Sequence, residues 1–285
     1  MNEVISIVTP SLNQGQYLEQ TINSVLSQEG NFFIDYIISD GGSTDNSIEI
    51  IKKYDDLLKK GVYPIKCEGI EYRWWSVKDH GQSEAINKGF KLAKGEILAW
   101  LNSDDFFEPK ALRGIVNVFR ENPEMHLIYG NGTIIDENRN TRTIFREGPT
   151  DYKTLLKRGD QILQPATFFT KRILKNVGFL DEQIHNAMDY DLWIRIFKIG
   201  KSLYLDKKIA NARIWKNSKT FYEQKKGIEM MIQIAKKHGA NTEKLELVYC
   251  LKEKFIVLIN LLKRRPKTYK VIKNIFYNLL YLDTP

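Results

Sequence analysis

The sequence predicts an α/β domain: a mainly parallel, mixed central sheet with helices on both faces and helical segments after it. Three observations carry that expectation. Short apolar runs alternate with segments of helical periodicity over the first two hundred residues. Residues 97–101 (ILAWL) are apolar without interruption, the pattern of a strand buried on both faces. Polar residues, namely Thr9, Asp40 and the stretch 102–105, directly follow three strand-like runs. Ligands of parallel sheets bind beyond the carboxyl ends of the strands, so these residues predict one shared site.

The elements follow in order. Residues 4–8 (VISIV) read as the first strand, ended by Thr9-Pro10. Tyr17, Leu18, Ile22, Val25 and Leu26 recur at helical spacing, so 14–28 reads as a helix. Tyr36-Ile37-Ile38 marks a second strand. After the turn Gly41-Gly42-Ser43, the residues Ile48, Ile51, Tyr54 and Leu58 mark a second helix. Asp40 and Ser43 are candidate caps for its start near residue 44. Ala85, Ile86, Gly89, Phe90 and Ala93 mark a third helix, and Gly95 sits where helices commonly end. Residues 127–147 read as a hairpin with Asp136-Glu137-Asn138 near its turn. Residues 161–170 run from polar to apolar and end in Phe168-Phe169. A helix from about 189 carries Leu192, Trp193, Ile196 and Phe197, and Gly200 stops it. Beyond about 221 the pattern is wholly helical. The expected division is 1–220 as the α/β domain and 221–285 as a basic, amphipathic helical extension.

Composition narrows the class. With 42% hydrophobic and 27% charged residues, the 285-residue chain is ordinary globular material rather than disordered. No apolar run approaches the roughly 20 residues needed to span a bilayer. The start, Met1-Asn2-Glu3, has no basic region followed by a cleavage site, so a signal peptide is not expected. Two cysteines, Cys67 and Cys250, far apart and without a CxxC pattern, point to a reducing compartment and away from a cysteine zinc site. The net charge of +8 is uneven: residues 198–285 hold 20 Lys/Arg against 7 Asp/Glu, and residues 1–197 hold 23 against 28. A small-molecule site is expected in the first part and an anionic surface beside the second.

The acidic pair Asp104-Asp105 follows the buried strand, so packing sets where it points. Adjacent carboxylates repel unless they share a cation, and a few hard oxygens suit Mg²⁺ or Mn²⁺. A solvated turn, with aspartate capping the helix that begins near Pro109, is the alternative reading.

The context consists of four ordered blocks: SIVTPSLNQGQYLEQTINSVLSQ, YIISDGGSTDNS, DHGQSEAINKGFKLAKGEILAWLNSDD and MDYDLWIRI. In order and spacing they resemble the family 2 glycosyltransferases of bacterial polysaccharide and lipopolysaccharide type, which have the GT-A fold. The resemblance covers about residues 3–219. It implies an inverting transferase that takes a nucleotide-diphosphate sugar, with UDP or TDP as the nucleotide. Thr9, Pro10, Ser11, Asp40, Asp79, Gln82 and Asp104 form the implied nucleotide-binding set. Within it Asp40 accepts a hydrogen bond from the base and Asp79 lies against base or ribose. Gln82 also carries a plainer reading, as a helix-start packing residue beside Ala85, Asn87 and Gly89. Asn102-Ser103-Asp104 stands in for the family's DxD. Asp104 and Asp105 are the implied metal set for Mn²⁺ or Mg²⁺, with Asp105 as the direct ligand, although the residues alone leave open which carboxylate touches the ion.

Asp189 matches the family's base, with Met188 at the preceding Glu position; the alternatives are an ordinary helix cap and His185. A helix start should keep Asp189 ionised. Asp191 is expected to cap or to pair with Arg195. Related enzymes often carry Arg-x-His after the last strand, whereas this chain has Arg213-Ile214-Trp215, which puts the third metal ligand in doubt. Gln164-Pro165-Ala166-Thr167 and His185-Asn186 are expected beside the acceptor, a glycan or lipid-linked glycan. Trp74 and Trp75 read as sugar platforms or as core, and Arg73 and Lys78 as surface residues, with phosphate contact as the alternative.

Residues 252–282 interleave bases with apolar groups, among them Lys263-Arg264-Arg265 and Leu279-Leu280. That pattern suits peripheral contact with an anionic membrane, at the cytoplasmic face. Packing on the domain or a homodimer contact is the alternative. Nucleic acid is not an expected partner, because no known motif frames the charge.

Overall fold

The fold is organised by one nine-stranded sheet. The computed structural model describes residues 3–216, 218, 219, 223–243 and 246. Strands β1 (Val4–Ser11), β2 (Glu29–Asp40), β3 (Lys66–Ser76) and β4 (Ile97–Trp100) lie in the order β3-β2-β1-β4, all parallel. The sheet continues through β8 (Thr167–Thr170), β6 (Leu127–Ile135), β9 (Ser202–Arg213) and β5 (Phe106–Phe107). β8 is antiparallel to both β4 and β6, β9 is parallel to β6, and β5 is antiparallel to β9. The hairpin strand β7 (Thr141–Phe145) pairs with β6.

Two apolar layers sandwich this sheet, and strand alternation sorts residues between them. Ile5 and Ile7 of β1 and Ile97 and Ala99 of β4 face one layer. Val8 of β1 and Leu98 and Trp100 of β4 face the other. The first layer is closed by α1 (Gly15–Leu26), α2 (Ser47–Lys59) and α4 (Ala111–Glu121). The second is closed by α3 (Gln82–Leu92), α5 (Tyr152–Arg158), α6 (Lys171–Val177), α7 (Met188–Ile199) and α8 (Gln224–Lys237). β4 is the central spacer: all four of its residues are buried, as its unbroken apolar run requires. The result is the expected three-layer α/β architecture.

Several local expectations change. Asp40 and Ser43 do not cap α2, whose N-cap is Asn46 without a side-chain bond. Asp40 instead accepts from the Gly42 and Ser43 amides and so closes the turn on itself. No aspartate caps α4, which starts after Lys110. Gly95 is not a helix terminus, because α3 ends at Ala93. Its N–H donates to Ser6 Oγ, and a Cβ there would stand 2.5 Å from the Val4 carbonyl oxygen. β3 was not expected: it lies at the sheet edge, where its alternate residues Ile70, Tyr72 and Trp74 pack on one core layer and Trp75 on the other. Among the described residues no helix is long and apolar enough to cross a membrane. Most of the C-terminal extension, including 252–282, lies outside the described residues. Its first helix, α8, packs on α7 and buries Ile234 in the core layer.

The amino-terminal edge of the sheet is tied by a buried carboxylate. Asp35 accepts from Ser6 Oγ (2.5 Å), from the Lys94 amide (2.8 Å) and from Arg73. Arg73 is thereby a structural partner rather than a free surface charge. Replacing Gly95 with alanine forces β1 and the α3–β4 connection apart at this knot. The expected loss is about 2–3 kcal/mol, read as a lower urea midpoint at unchanged slope.

Candidate active site

Because β1 to β4 are parallel, their carboxyl ends lie along one edge. Ser11 is in register with Asp40, and Asp40 with Ser76. A cleft of about 780 Å³ opens there, within the size range of small-molecule sites. Pro10, Ser11, Asp79, Gln82, Asp104, Asp105 and Asp189 all line it, so residues from four separate segments meet there. Gln164, Pro165, His185 and Asn186 line it too.

The acid pair is held from behind by β9. The Arg213 amide donates to Asp105 Oδ1 at 2.8 Å, and the Arg213 Nε donates to the Asp104 carbonyl at 3.0 Å. Arg213 also donates to the carbonyls of Asp136 and Glu137 and to Gln20, while its guanidinium stacks 4.4 Å from the Tyr17 ring centre. Asn102 donates to Asp105 Oδ2 and to Gln164, and accepts from Gln82. Asp105 is therefore buried with both oxygens engaged, whereas Asp104 is half-buried. Burial, and next the Asp104 charge, push the Asp105 carboxyl well above the usual carboxylate range. Burial raises Asp104 as well, against the lowering effect of its bond from Trp215. Two hard, mutually repelling carboxylates on one wall fit a divalent cation that takes its other ligands from phosphate and water. Among the described residues no group of three or more His, Cys, Asp or Glu could hold a metal unaided.

Trp215 has a defined place. Its Nε1 donates to Asp104 Oδ2 at 2.9 Å, and its ring meets Tyr17 edge-on at 5.3 Å. A residue that cannot ligate a metal thus orients one that can.

The nucleotide set divides. Pro10, Ser11, Asp79, Gln82 and Asp104 reach the cleft wall, but Thr9 and Asp40 do not. Thr9 is fully buried and bonded to the Tyr36 hydroxyl at 3.1 Å. Asp40 is equally buried, with its carboxylate taken by Ser43 and Ser76. Asp79 fits against Gly41, where a Cβ would stand 2.7 Å from its Oδ2. Buried polar atoms are normally paired. Yet Ser11 Oγ, Gln14 Oε1 and Trp100 Nε1 have no partner among the described residues, and all three residues line the cleft. Such a cluster of unpaired donors and acceptors is chemistry for a polar ligand.

Asp189 begins α7, and its Oδ1 accepts from the Tyr190 amide at 2.9 Å. Desolvation raises its carboxyl, against the lowering effects of the amide bonds and the nearby Lys219 charge. Asp191 pairs with Arg195 Nε at 2.9 Å, as expected. Met188 is buried and accepts from Ser83 Oγ. Trp74 and Trp75 pack on the core layers, and Trp74 donates to Asp55. Asn87 clamps Leu180, a packing role.

Gln14, Trp100, Asp160 and Lys219 also line the cleft and had not been singled out. Trp100 reads from sequence as one more strand residue and Gln14 as the start of the first helix, while Asp160 sits in a loop whose direction only tertiary packing sets.

This chain is similar to an uncharacterized glycosyltransferase of Methanocaldococcus jannaschii, 28% identical over 67% of this chain and 64% of that protein. It is also similar to chondroitin synthase of Escherichia coli, 26% identical over 95% of this chain and 37% of that protein. The chain thus spans less than two thirds of the length of these relatives. Among solved structures, S. aureus TarS in complex with UDP-GlcNAc superposes with a TM-score of 0.61 at 17% identity, over 85% of this chain and 68% of that one. The fold is therefore GT-A. Residues 6–177, more than half of the sequence, match the glycosyl transferase family 2 model, and the chain belongs to that family.

Proposed function

We propose that the chain is an inverting glycosyltransferase that moves a sugar from a UDP or TDP donor to a hydroxyl of a glycan or lipid-linked glycan, in cell-surface polysaccharide synthesis. The observation that carries this reading is the meeting of the acid pair and Asp189 in one cleft beside unpaired polar atoms. Relatives named chondroitin synthase and hyaluronan synthase, and a structural neighbour bound to UDP-GlcNAc, support a UDP-sugar donor.

Ser11, Gln14, Asp79 and Gln82 bind the nucleoside end of the donor, with Thr9 and Asp40 shaping the wall behind them. Asp104 and Asp105 hold Mn²⁺ or Mg²⁺; the half-buried Asp104 presents the more open carboxylate, and Trp215 fixes its rotamer. When bound, the ion offsets the charge of the departing diphosphate. Asp189 takes the proton from the attacking hydroxyl. The acceptor oxygen bonds the anomeric carbon as the carbon–diphosphate bond breaks, and its electron pair leaves with the nucleotide. Attack opposite the leaving group inverts the centre.

A peripheral position at the cytoplasmic face of the membrane is part of the same reading, supported by the basic excess of residues 198–285; a homodimer contact through that extension is its competitor. Trp215 motivates a second reading, a catalytically silent binding module on the same fold.

Three outcomes are expected. UDP with Mn²⁺, at about a hundredfold excess over its Kd, stabilises the chain by about 2.7 kcal/mol, or roughly 5–10 °C in melting temperature. Asp104→Asn removes most of that shift. No shift with any nucleoside diphosphate would sink the proposal. Asp189→Asn lowers transfer by about 10²–10⁴-fold while donor binding persists, which separates an enzyme from a silent module.

The third outcome concerns pH. Because the folded Asp189 carboxyl is raised, it binds its proton more tightly folded than unfolded. Its favourable contribution is complete below the unfolded value of about 3.9 and is lost as pH rises through the folded one. Asp189→Asn should therefore melt above the natural chain at pH 8, with the gap closing toward pH 4. An equal gap at both pH values would contradict this.

A further inference from the structure

The cleft contains a second carboxylate that the transfer mechanism does not use. Asp160 follows α5, after a turn at Gly159 (φ 84°). This segment is fastened to α7, since the Tyr190 hydroxyl donates to the Leu155 carbonyl at 2.8 Å. Asp160 and Asp189 both line the cleft, and Asp189 adjoins Tyr190, which makes that bond. They are engaged alike. Asp160 Oδ1 accepts from the Ile162 amide at 3.0 Å, and Asp189 Oδ1 from the Tyr190 amide at 2.9 Å. Among the described residues no side chain donates to either Oδ2. Ile162 and Met188 belong to one apolar cluster, and Met231 packs against it, so the carboxylates share their end of the cleft with an apolar wall.

We infer that Asp160 and Asp189 form a two-carboxylate acceptor subsite that grips a pyranose by two neighbouring hydroxyls. Asp189 takes the attacking hydroxyl and Asp160 the one beside it, while the apolar wall covers the C–H face of the ring. The inference rests on the glycosyl-transfer reading and names its acceptor class: a sugar that presents a vicinal diol. Hydroxyl-to-carboxylate bonds are charge-assisted and directional, so two of them fix both the position and the rotation of the ring. An acceptor lacking the second hydroxyl leaves Asp160 without its partner, which discriminates strongly. In the transfer step only Asp189 changes protonation; Asp160 keeps its state and positions.

A purely structural role fits Asp160 poorly. Burial first, and the Asp189 charge next, raise its carboxyl well above the usual range, so as an ion it opposes folding. Among the described residues Lys219, which lowers Asp189, and Glu223, which faces Lys219, also carry charge at this end.

The test uses the full chain with UDP and Mn²⁺. The probes are methyl pyranosides of glucose, galactose, mannose and N-acetylglucosamine, with their monodeoxy analogues, and binding is read by saturation-transfer NMR. At least one parent pyranoside should bind the natural chain. Asp160→Asn and Asp160→Ala should weaken it by about tenfold or more. One monodeoxy analogue should bind the natural chain equally weakly and lose nothing further in the variants. A general disturbance of the fold would weaken every analogue alike, and the UDP-dependent melting shift should stay intact in both variants. The inference is overturned if the variants bind the parent sugar normally, if all analogues lose equally, or if no pyranoside binds while the UDP shift is present. Absence of the UDP shift in the natural chain would instead overturn the glycosyl-transfer reading.

Discussion

The site depends on the way Arg213 fastens two halves of the sheet. The acid pair leaves the parallel half at the end of β4, whereas Arg213 ends β9 in the other half. Its amide and its guanidinium reach Asp105 and the Asp104 backbone, the hairpin turn and Gln20 of α1. A buried guanidinium needs its donors satisfied, and these acceptors come from three separate segments. Satisfying them therefore sets the mutual position of α1, the acid pair and the β6–β7 turn. The same constraint brings Trp215, two residues on, against Asp104.

Around that fastening the cleft bears electrostatic strain. Asp104, Asp105, Asp160 and Asp189 all have carboxyls raised chiefly by burial. Such groups lining one cleft reduce stability at neutral pH, a burden that a fold selected only for stability would discard. Ser11 Oγ, Gln14 Oε1 and Trp100 Nε1 add unpaired polar atoms to the same cavity. Elsewhere among the described residues Asp35, Asn87 and Asp191 are each fully engaged, while Trp193 Nε1 and His238 Nε2 are buried without a partner. Strain is concentrated where a charged, hydroxyl-rich ligand would relieve it.

Much of this was legible in the sequence. The unbroken run of β4 places the acid pair, because a strand buried on both faces has little freedom to shift. Strand–helix alternation gives the parallel half, and the block at 188–196 gives α7. Of the residues that the family resemblance implied, Pro10, Ser11, Asp79, Gln82, Asp104, Asp105 and Asp189 line one cleft, whereas Thr9 and Asp40 lie behind it. β3 escaped because its apolar residues alternate with charges at an edge. Asp160 escaped because loop residues carry no periodicity, and Gln14 because it read as one more residue of the first helix. Asp40 and Thr9 show the opposite limit, since their types invite a ligand contact that their complete burial withdraws.

The sequence by itself determined the architecture and the identity of the chemical groups, through patterns that are local: periodicity, buried runs and ordered motifs. Tertiary structure alone decided which groups stay open. Whether a carboxylate faces a ligand or a neighbouring amide depends on partners far away in the chain, as Asp105 with Arg213 and Asp40 with Ser76 demonstrate. It alone also decided the protonation tendency of Asp189. A helix start favours the ion, but desolvation by packed residues from other segments outweighs it.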